Sequence, residues 1–325
     1  MTIGLSYDLK SDYAGSGLSP EALAEFDSEE TVAGIEAAIR ARGHATRRIG
    51  NIRALAARLV AGETWDFVFN IAEGLSGPGR ESQVPCLLEA WGIPCSFSDP
   101  LVLALCLHKG MAKRVIRDAG LATPAFAVLE TAEAAREVNL PYPLFAKPVA
   151  EGTGKGISAA SKIESPAGLE QAARELLARF RQPVLVETFL PGREFTVGIT
   201  GTGQNARVVG CMEIHYGGRA EGGVYSYANK ADYGNRVSYT PGRDESARRA
   251  AGLALDAYLV LGCRDGGRAD IRCDAAGEPG LIEINPLAGL NPIHSDLPIA
   301  ARLSGLSYDG LIGEILESGL KRART

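Results

Sequence analysis

The first hundred residues alternate short apolar runs with stretches of helical period. Thr2–Ser6, Ala45–Ile49 and Phe67–Ile71 read as strands. Between the first two, Asp27 or Ser28 is placed to cap a helix in which Val32, Ile35 and Ile39 share a face, and Gly43 ends it. Alternation of this kind predicts a parallel sheet covered by helices.

From residue 99 the pattern changes. Two helical segments flank His108–Lys109, and Gly120 stops the second. A strand (Ala125–Leu129), a helix after Thr131 and a strand ending in Phe145-Ala146-Lys147-Pro148 lead to the run EGTGKG. A helix around Leu169–Phe180 and the strand Val184–Glu187 follow. Beyond Pro191–Gly192 the chain reads as paired strands, Glu194–Thr200 and Val208–Ile214, then a Gly/Tyr-rich stretch, Tyr216–Tyr239, with the character of a mobile loop. A long helix (Glu245–Leu261), two strands and two terminal helices complete it. The expectation is an α/β protein of three segments, 1–98, 99–187 and 188–325.

Composition narrows the function. Among 325 residues, 34 Lys+Arg stand against 39 Asp+Glu, a net charge of −5, which argues against a protein built around nucleic-acid phosphates. A hydrophobic share of 46% excludes a largely disordered chain. No uncharged apolar run approaches the ~20 residues of a membrane span. The opening MTIGLSYDLK has neither the basic start nor the apolar stretch of a secretory leader. Cys86, Cys95, Cys106, Cys211, Cys263 and Cys273 never fall at C-x-x-C spacing, so they read as reduced, mostly buried thiols rather than a zinc site. The expectation is a cytoplasmic protein with neither nucleic-acid nor membrane partner.

The sharpest chemical signal is GRADIRCDAAGEPGLIEINPLAGLNPIHS. Arg268–Cys273 and Gly280–Asn285 are strand-like, and the glycine-containing link between them predicts a hairpin. Residues at i and i+2 of a strand share a face, so Glu283 with Asn285, and Arg268 with Asp270, would face one space. Two carboxylates and an amide oxygen suit magnesium completed by substrate phosphates, and a nearby guanidinium suits a transferring phosphoryl group. A surface hairpin with solvated charges is the alternative for this segment alone. In EGTGKG the glycines 152, 154 and 156 permit close backbone approach to phosphate, though neither a Walker A loop nor G-x-G-x-x-G is matched. A glycine-rich hairpin turn reads equally well. Glu187, at a strand end, and Glu194 are unremarkable by themselves.

In order, FNIAEG…GRESQVPCLLEAWGIPCS, LCLHKGMAKRVIRDAGLATP, FAKPVAEGTGKGIS, LVETFLPGREFTV, GRADIRCD and LIEINPLAGL resemble the ATP-grasp fold and, within it, the D-alanine–D-alanine ligase family, over nearly the whole chain. The resemblance implies ATP held between the central and C-terminal segments. Lys109 and Lys147 would meet its phosphates, with the loop of Gly152, Thr153 and Gly154 folded over them. Glu187 and the following backbone at Phe189 and Leu190 would meet adenine, with Glu194 on the ribose. Asp270, Glu283 and Asn285 would bind two Mg²⁺ ions, for which Mn²⁺ could substitute. Lys230 would reach the γ-phosphate from the 216–239 stretch. Arg268 and the Gly289 N–H would stabilise a tetrahedral intermediate, and Ser295 with His294 would hold a substrate carboxylate. The implied reaction joins two amino acids through an acyl phosphate, in a homodimer. Departures fall on the substrate side: Glu30 is the candidate for the family's ammonium-binding glutamate, Glu73 stands where the family has a histidine, and Ala231 where it has a loop tyrosine. A ligase joining a different amino acid or small peptide in specialised metabolism is therefore the alternative.

Overall fold

The computed structural model describes residues 1–217 and 237–324. Strands β1 (Thr2–Ser6), β2 (Ala45–Gly50) and β3 (Phe67–Asn70) form the expected parallel sheet, in the order β2-β1-β3. Helix α1 (Glu29–Ala41) crosses from β1 to β2, α2 (Ile52–Val60) from β2 to β3, and α3 (Gln83–Ala90) follows. Of the two candidate caps for α1, Ser28 is the one used: its Oγ accepts the Thr31 N–H at 3.3 Å. Val32, Ile35 and Ile39 are buried, and Gly43 leaves the helix at a left-handed φ of 80°.

Helices α4 (Pro100–Leu107) and α5 (Lys109–Asp118) meet at His108, whose Nδ1 accepts the Met111 N–H at 3.1 Å and so opens α5 with Lys109 in its first position. Strands β4 (Phe126–Leu129), β5 (Leu144–Pro148), β6 (Lys162–Ile163) and β7 (Val184–Thr188) form an antiparallel sheet, order β4-β7-β5-β6, backed by α6 (Pro166–Phe180). The helix expected after Thr131 is only a 3₁₀ turn, Glu133–Glu137: the backbone is already extended at Val138, and Pro141 and Pro143 keep it from resuming a helix.

A second antiparallel sheet, order β10-β9-β8-β11-β12, contains β8 (Glu194–Thr200), β9 (Arg207–Tyr216), β10 (Val237–Pro241), β11 (Gly266–Cys273) and β12 (Pro279–Asn285). The ends of the stretch read as loop are strand: Tyr216 pairs with Val237 and Ile214 with Tyr239. Helix α7 (Glu245–Val260) packs on the face bearing Phe195, Val197 and Ile199, and α8 (Asp296–Leu303) covers the other, where Leu297 lies over Gly198. Helix α9 (Tyr308–Arg322) ends the fold. No described helix is long and apolar enough to cross a membrane. The cysteines are free thiols; Cys106, Cys263 and Cys273 are buried, whereas Cys86 is exposed and Cys95 and Cys211 lie between.

Apolar packing ignores the segment boundaries read from sequence. Ile3, Phe67, Phe69 and Ile35 share one core with Leu311, Ile315, Leu316 and Leu320 of α9. Val102, Cys106 and Ile116 of α4 and α5 pack with Phe195 and Val197 of the five-stranded sheet and Tyr258 of α7 rather than with the sheet that follows them in the chain. Asp265, fully buried at φ 63°, fastens these parts. It accepts the Phe97 N–H at 2.9 Å, hydroxyls of Thr202 (3.0 Å) and Ser318 (2.9 Å), and the Arg322 guanidinium at 2.7 Å. Asp265→Ala leaves the buried Phe97 amide without its acceptor and takes the carboxylate from Arg322, and should cost about 3–5 kcal/mol, read as a lower urea midpoint.

Candidate active site

Strands β11 and β12 pair with Arg268 opposite Asn285 and Asp270 opposite Glu283. The hairpin and its shared face are as read from sequence, but the two rungs open into different spaces. Asp270 and Glu283 line a narrow cleft of about 90 Å³ together with Lys109, Lys147, Thr153, Gly154, Glu187, Phe189, Leu190 and Glu194. Arg268 and Asn285 line a larger cavity of about 770 Å³ that also takes in Gly152, Thr153, Gly289, His294 and Ser295. The two compartments adjoin: Thr153 borders both, Arg268 pairs with Asp270, and Asn285 Nδ2 donates to Glu283 Oε1 at 3.5 Å, so the four side chains keep to one face as read from sequence. The register slips after Asp270, where Ile271 pairs with Leu281 and Ile282 is left over. This bulge lets Ile282 and Glu283, neighbours in sequence, both line the cleft.

The cleft is organised by alternating charges. Lys113 Nζ lies 2.9 Å from Glu187, Glu187 lies 3.1 Å from Lys147 Nζ, and Glu283 lies 3.8 Å from Lys147 and 3.6 Å from Lys109. Burial pushes Glu187 upward, but the two lysines outweigh it and hold its carboxyl below the usual range. Burial lowers Lys109 and Lys113 despite Glu283 and Glu187, whereas at Lys147 the two carboxylates overcome burial and raise it. At the far end Glu194 accepts the Tyr216 hydroxyl at 2.6 Å and pairs with Arg272 at 3.1 Å. The Arg272 guanidinium stacks 4.9 Å from the Phe189 ring centre. Phe145, Pro148, Ile157, Leu190 and Ile282 give the cleft apolar walls, which suit a flat aromatic base. Lys113, Lys155, Arg272 and Ile282 escaped the sequence reading. Lys113 follows Lys109 by one helical turn and Arg272 follows Asp270 by two, spacings that carry the signal.

In the larger cavity, a Cβ on Gly289 would lie 2.9 Å from Ser295 Oγ, so glycine is what lets this backbone meet that hydroxyl. Arg268 pairs with Asp270 and lies 3.9 Å from Asp296; burial would lower it, but Asp270, Asp296 and Glu283 hold it firmly charged. His294 is depressed by partial burial and by Lys10. Glu30 is exposed on the first turn of α1 and does not line the cavity; Glu25, Asp27, Glu73 and Glu81 do. Burial, then Asp8, raises Asp27 to about 7 against Lys10. Burial and the carboxylates of Glu81, Glu25 and Asp27 raise Glu73 well above its ordinary value. Lys230, Ala231 and the rest of 218–236 lie outside the described residues.

The donor set fits a divalent cation shared with a nucleotide. Among the described residues no group of three His, Cys, Asp or Glu is placed to hold a metal alone. Asp270, Glu283 and the Asn285 amide supply hard oxygens from adjacent rungs, an incomplete shell of the type Mg²⁺ completes with phosphate and water. Thr153 Oγ1, at the tip of the glycine loop (φ 49°), is buried without a hydrogen-bond partner, as a group facing a phosphate oxygen would be.

Glu187→Gln leaves Lys113 and Lys147 short of a counter-charge and should lower stability by about 3 kcal/mol at pH 7. Because the folded-state carboxyl is depressed, its contribution is present above the unfolded value near 4.5 and lost as pH falls through the lower folded one. The deficit, followed by urea titration, should therefore shrink in acid.

Known proteins resemble this chain over most of its length. The family model described as D-ala D-ala ligase C-terminus matches residues 115–317. A D-alanine–D-alanine ligase of Xanthomonas axonopodis pv. citri is 34% identical over 292 residues, covering 87% of this chain and 87% of the relative. One from Bordetella petrii is 37% identical over 269 residues, covering 81% and 78% respectively. The crystal structure of D-alanine–D-alanine ligase from Bacillus anthracis complexed with ATP superposes with a TM-score of 0.74 at 21% identity, over 100% of this chain and 99% of that one, a likeness of fold.

Proposed function

The chain belongs to the D-alanine–D-alanine ligase family, and on that premise we propose that it is an ATP-dependent, ADP-forming carboxylate–amine ligase that joins small amino acids, D-alanine to D-alanine in the first instance. One observation carries the reading: successive rungs of a single hairpin serve two compartments, Asp270–Glu283 the cleft and Arg268–Asn285 the cavity. A phosphoryl group leaving a nucleotide in the first compartment needs to travel only past Thr153 to reach a carboxylate in the second.

In this reading the adenine lies against Phe189 and Leu190, Glu194 takes the ribose, and Lys109, Lys147 and the 152–154 loop receive the phosphates. Glu187, tied to Lys113 and Lys147, offers position rather than free charge. Asp270, Glu283 and Asn285 would hold two magnesium ions, with manganese a substitute, whose charge would offset that of the phosphates. A carboxylate is a poor electrophile, so it is first phosphorylated; an amine then attacks the acyl phosphate. The resulting oxyanion falls to Arg268 and the Gly289 N–H. Ser295 and His294 take the second substrate's carboxylate. For the first substrate's ammonium we assign Asp27 and Glu73, which face the cavity, in place of Glu30, which does not. Lys230 would add a cation at the γ-phosphate. A cytoplasmic homodimer completes the proposal by family likeness.

The carboxylates facing the cavity also favour a second reading, a ligase of the same mechanism that joins a different amino acid or small peptide. Phosphate release from ATP and Mg²⁺ with D-alanine, then with pooled amino acids, and product masses by mass spectrometry separate the two. D-Ala-D-Ala as product supports the first reading; turnover only with another pool supports the second; no ATP consumption with any pool overturns both. Glu283→Gln should reduce turnover at least ~100-fold by weakening the metal site while circular dichroism stays native.

A further inference from the structure

Glu25 lies far in sequence from the glycine loop, yet its carboxylate is filled by it. Oε1 accepts the Gly152 N–H at 2.7 Å, and Oε2 accepts Lys155 Nζ at 2.9 Å. The Arg80 guanidinium reaches both oxygens, at 3.2 and 3.1 Å, and its other arm donates to the Ala150 carbonyl at 2.8 Å. The Glu25 and Arg80 side chains are each only 7% exposed. With these donors in place Glu25 has no capacity left for a substrate ammonium, although it lines the cavity.

Gly152 supplies an independent observation. Its φ is not in the left-handed region, unlike those of Gly154 and Gly156, so backbone strain does not demand glycine there. A Cβ at 152 would instead lie 2.4 Å from Glu25 Oε1. The contact across the two segments is what requires glycine. The segment that carries Glu25 also roofs the larger cavity through Leu18, Pro20, Leu23 and Ala24, and Glu21 ties it to Arg179 on α6.

We propose that Glu25 is a positioning residue that clasps the cavity roof, residues 18–26, to the glycine loop, residues 152–156, so that the two open and close as one body and water is kept from the acyl phosphate. The exclusion of water rests on the ligase reading; the clasp itself does not. Within the loop, Gly152 is thereby assigned to the clasp, leaving Thr153 and Gly154 to the phosphates. When the clasp fails, water attacks the acyl carbon and its proton passes to solvent. Phosphate leaves with the bonding pair, the starting carboxylate is regenerated, and ATP is consumed without an amide.

The test is backbone hydrogen exchange on the full chain without ligands, comparing wild type with Glu25→Ala and with Gly152→Ala, which leaves every charge in place. The clasp predicts that amides of 18–26 and 150–157 exchange at least ~10-fold faster together in both variants, with β8 and β11 unchanged. Unaltered exchange in the folded Gly152→Ala protein, or acceleration of one segment without the other, overturns it. In parallel, ATP, Mg²⁺ and D-alanine are supplied, and phosphate is measured against dipeptide. The ratio should rise severalfold from one in the variants; a ratio fixed at one overturns the water-exclusion role. A wild type that forms no dipeptide counts against the D-alanine reading, and the exchange result still decides the clasp.

Discussion

The site depends on the cost of placing ammonium groups where water is scarce. Lys109, Lys113 and Lys147 are all buried, and a buried cation is tolerated only beside a compensating charge. Alternation of Lys113, Glu187, Lys147, Glu283 and Lys109 meets that demand and joins α5, β5, β7 and β12 in one seam. The spacing within the row is uneven. Glu187 grips its two lysines at 2.9 and 3.1 Å, whereas Glu283 stands 3.6 and 3.8 Å from its own. The tight end sets the architecture. At the looser end Lys109 and Lys147 can turn to a phosphate without dismantling the seam.

The β11–β12 hairpin joins that seam to a second compartment. A two-residue period on a pleated strand brings one rung to the narrow cleft and the next to the larger cavity, a separation of a few ångströms fixed by covalent geometry. Arg268 bridges the rungs by pairing with Asp270. In the proposed ligase the charge that would meet the oxyanion is thus held by the carboxylate that would meet the metal, which would couple the two half-reactions electrostatically.

Much of this was legible in the sequence because it is local. The strands, the alternation of the first segment, the capped helix at Ser28 and the hairpin carrying Arg268, Asp270, Glu283 and Asn285 follow from periods of two and 3.6 and from turn residues. What escaped depends on contacts between distant positions. The leftover Ile282 is a register slip that strict alternation cannot express. Glu25 gains its partners from residues 80, 152 and 155, so nothing in its neighbourhood marks it out, while Glu30 looks equally suitable until α1 is seen to point it to solvent. The short 3₁₀ turn at Glu133–Glu137 was obscured by a good helical composition, although the backbone turns extended at Val138.

The core that β1 and β3 share with α9 has a consequence for how the protein is made. Ile3 and Phe67 find their apolar cover in Leu311, Ile315 and Leu316. A ribosome adding roughly 5–20 residues per second would take about 15–60 s to travel from the first strand to the last helix. Throughout that interval β1 and β3 carry a greasy surface that α1 covers only in part. Synthesis of α9, rather than emergence of the first segment, is the moment from which this core can close.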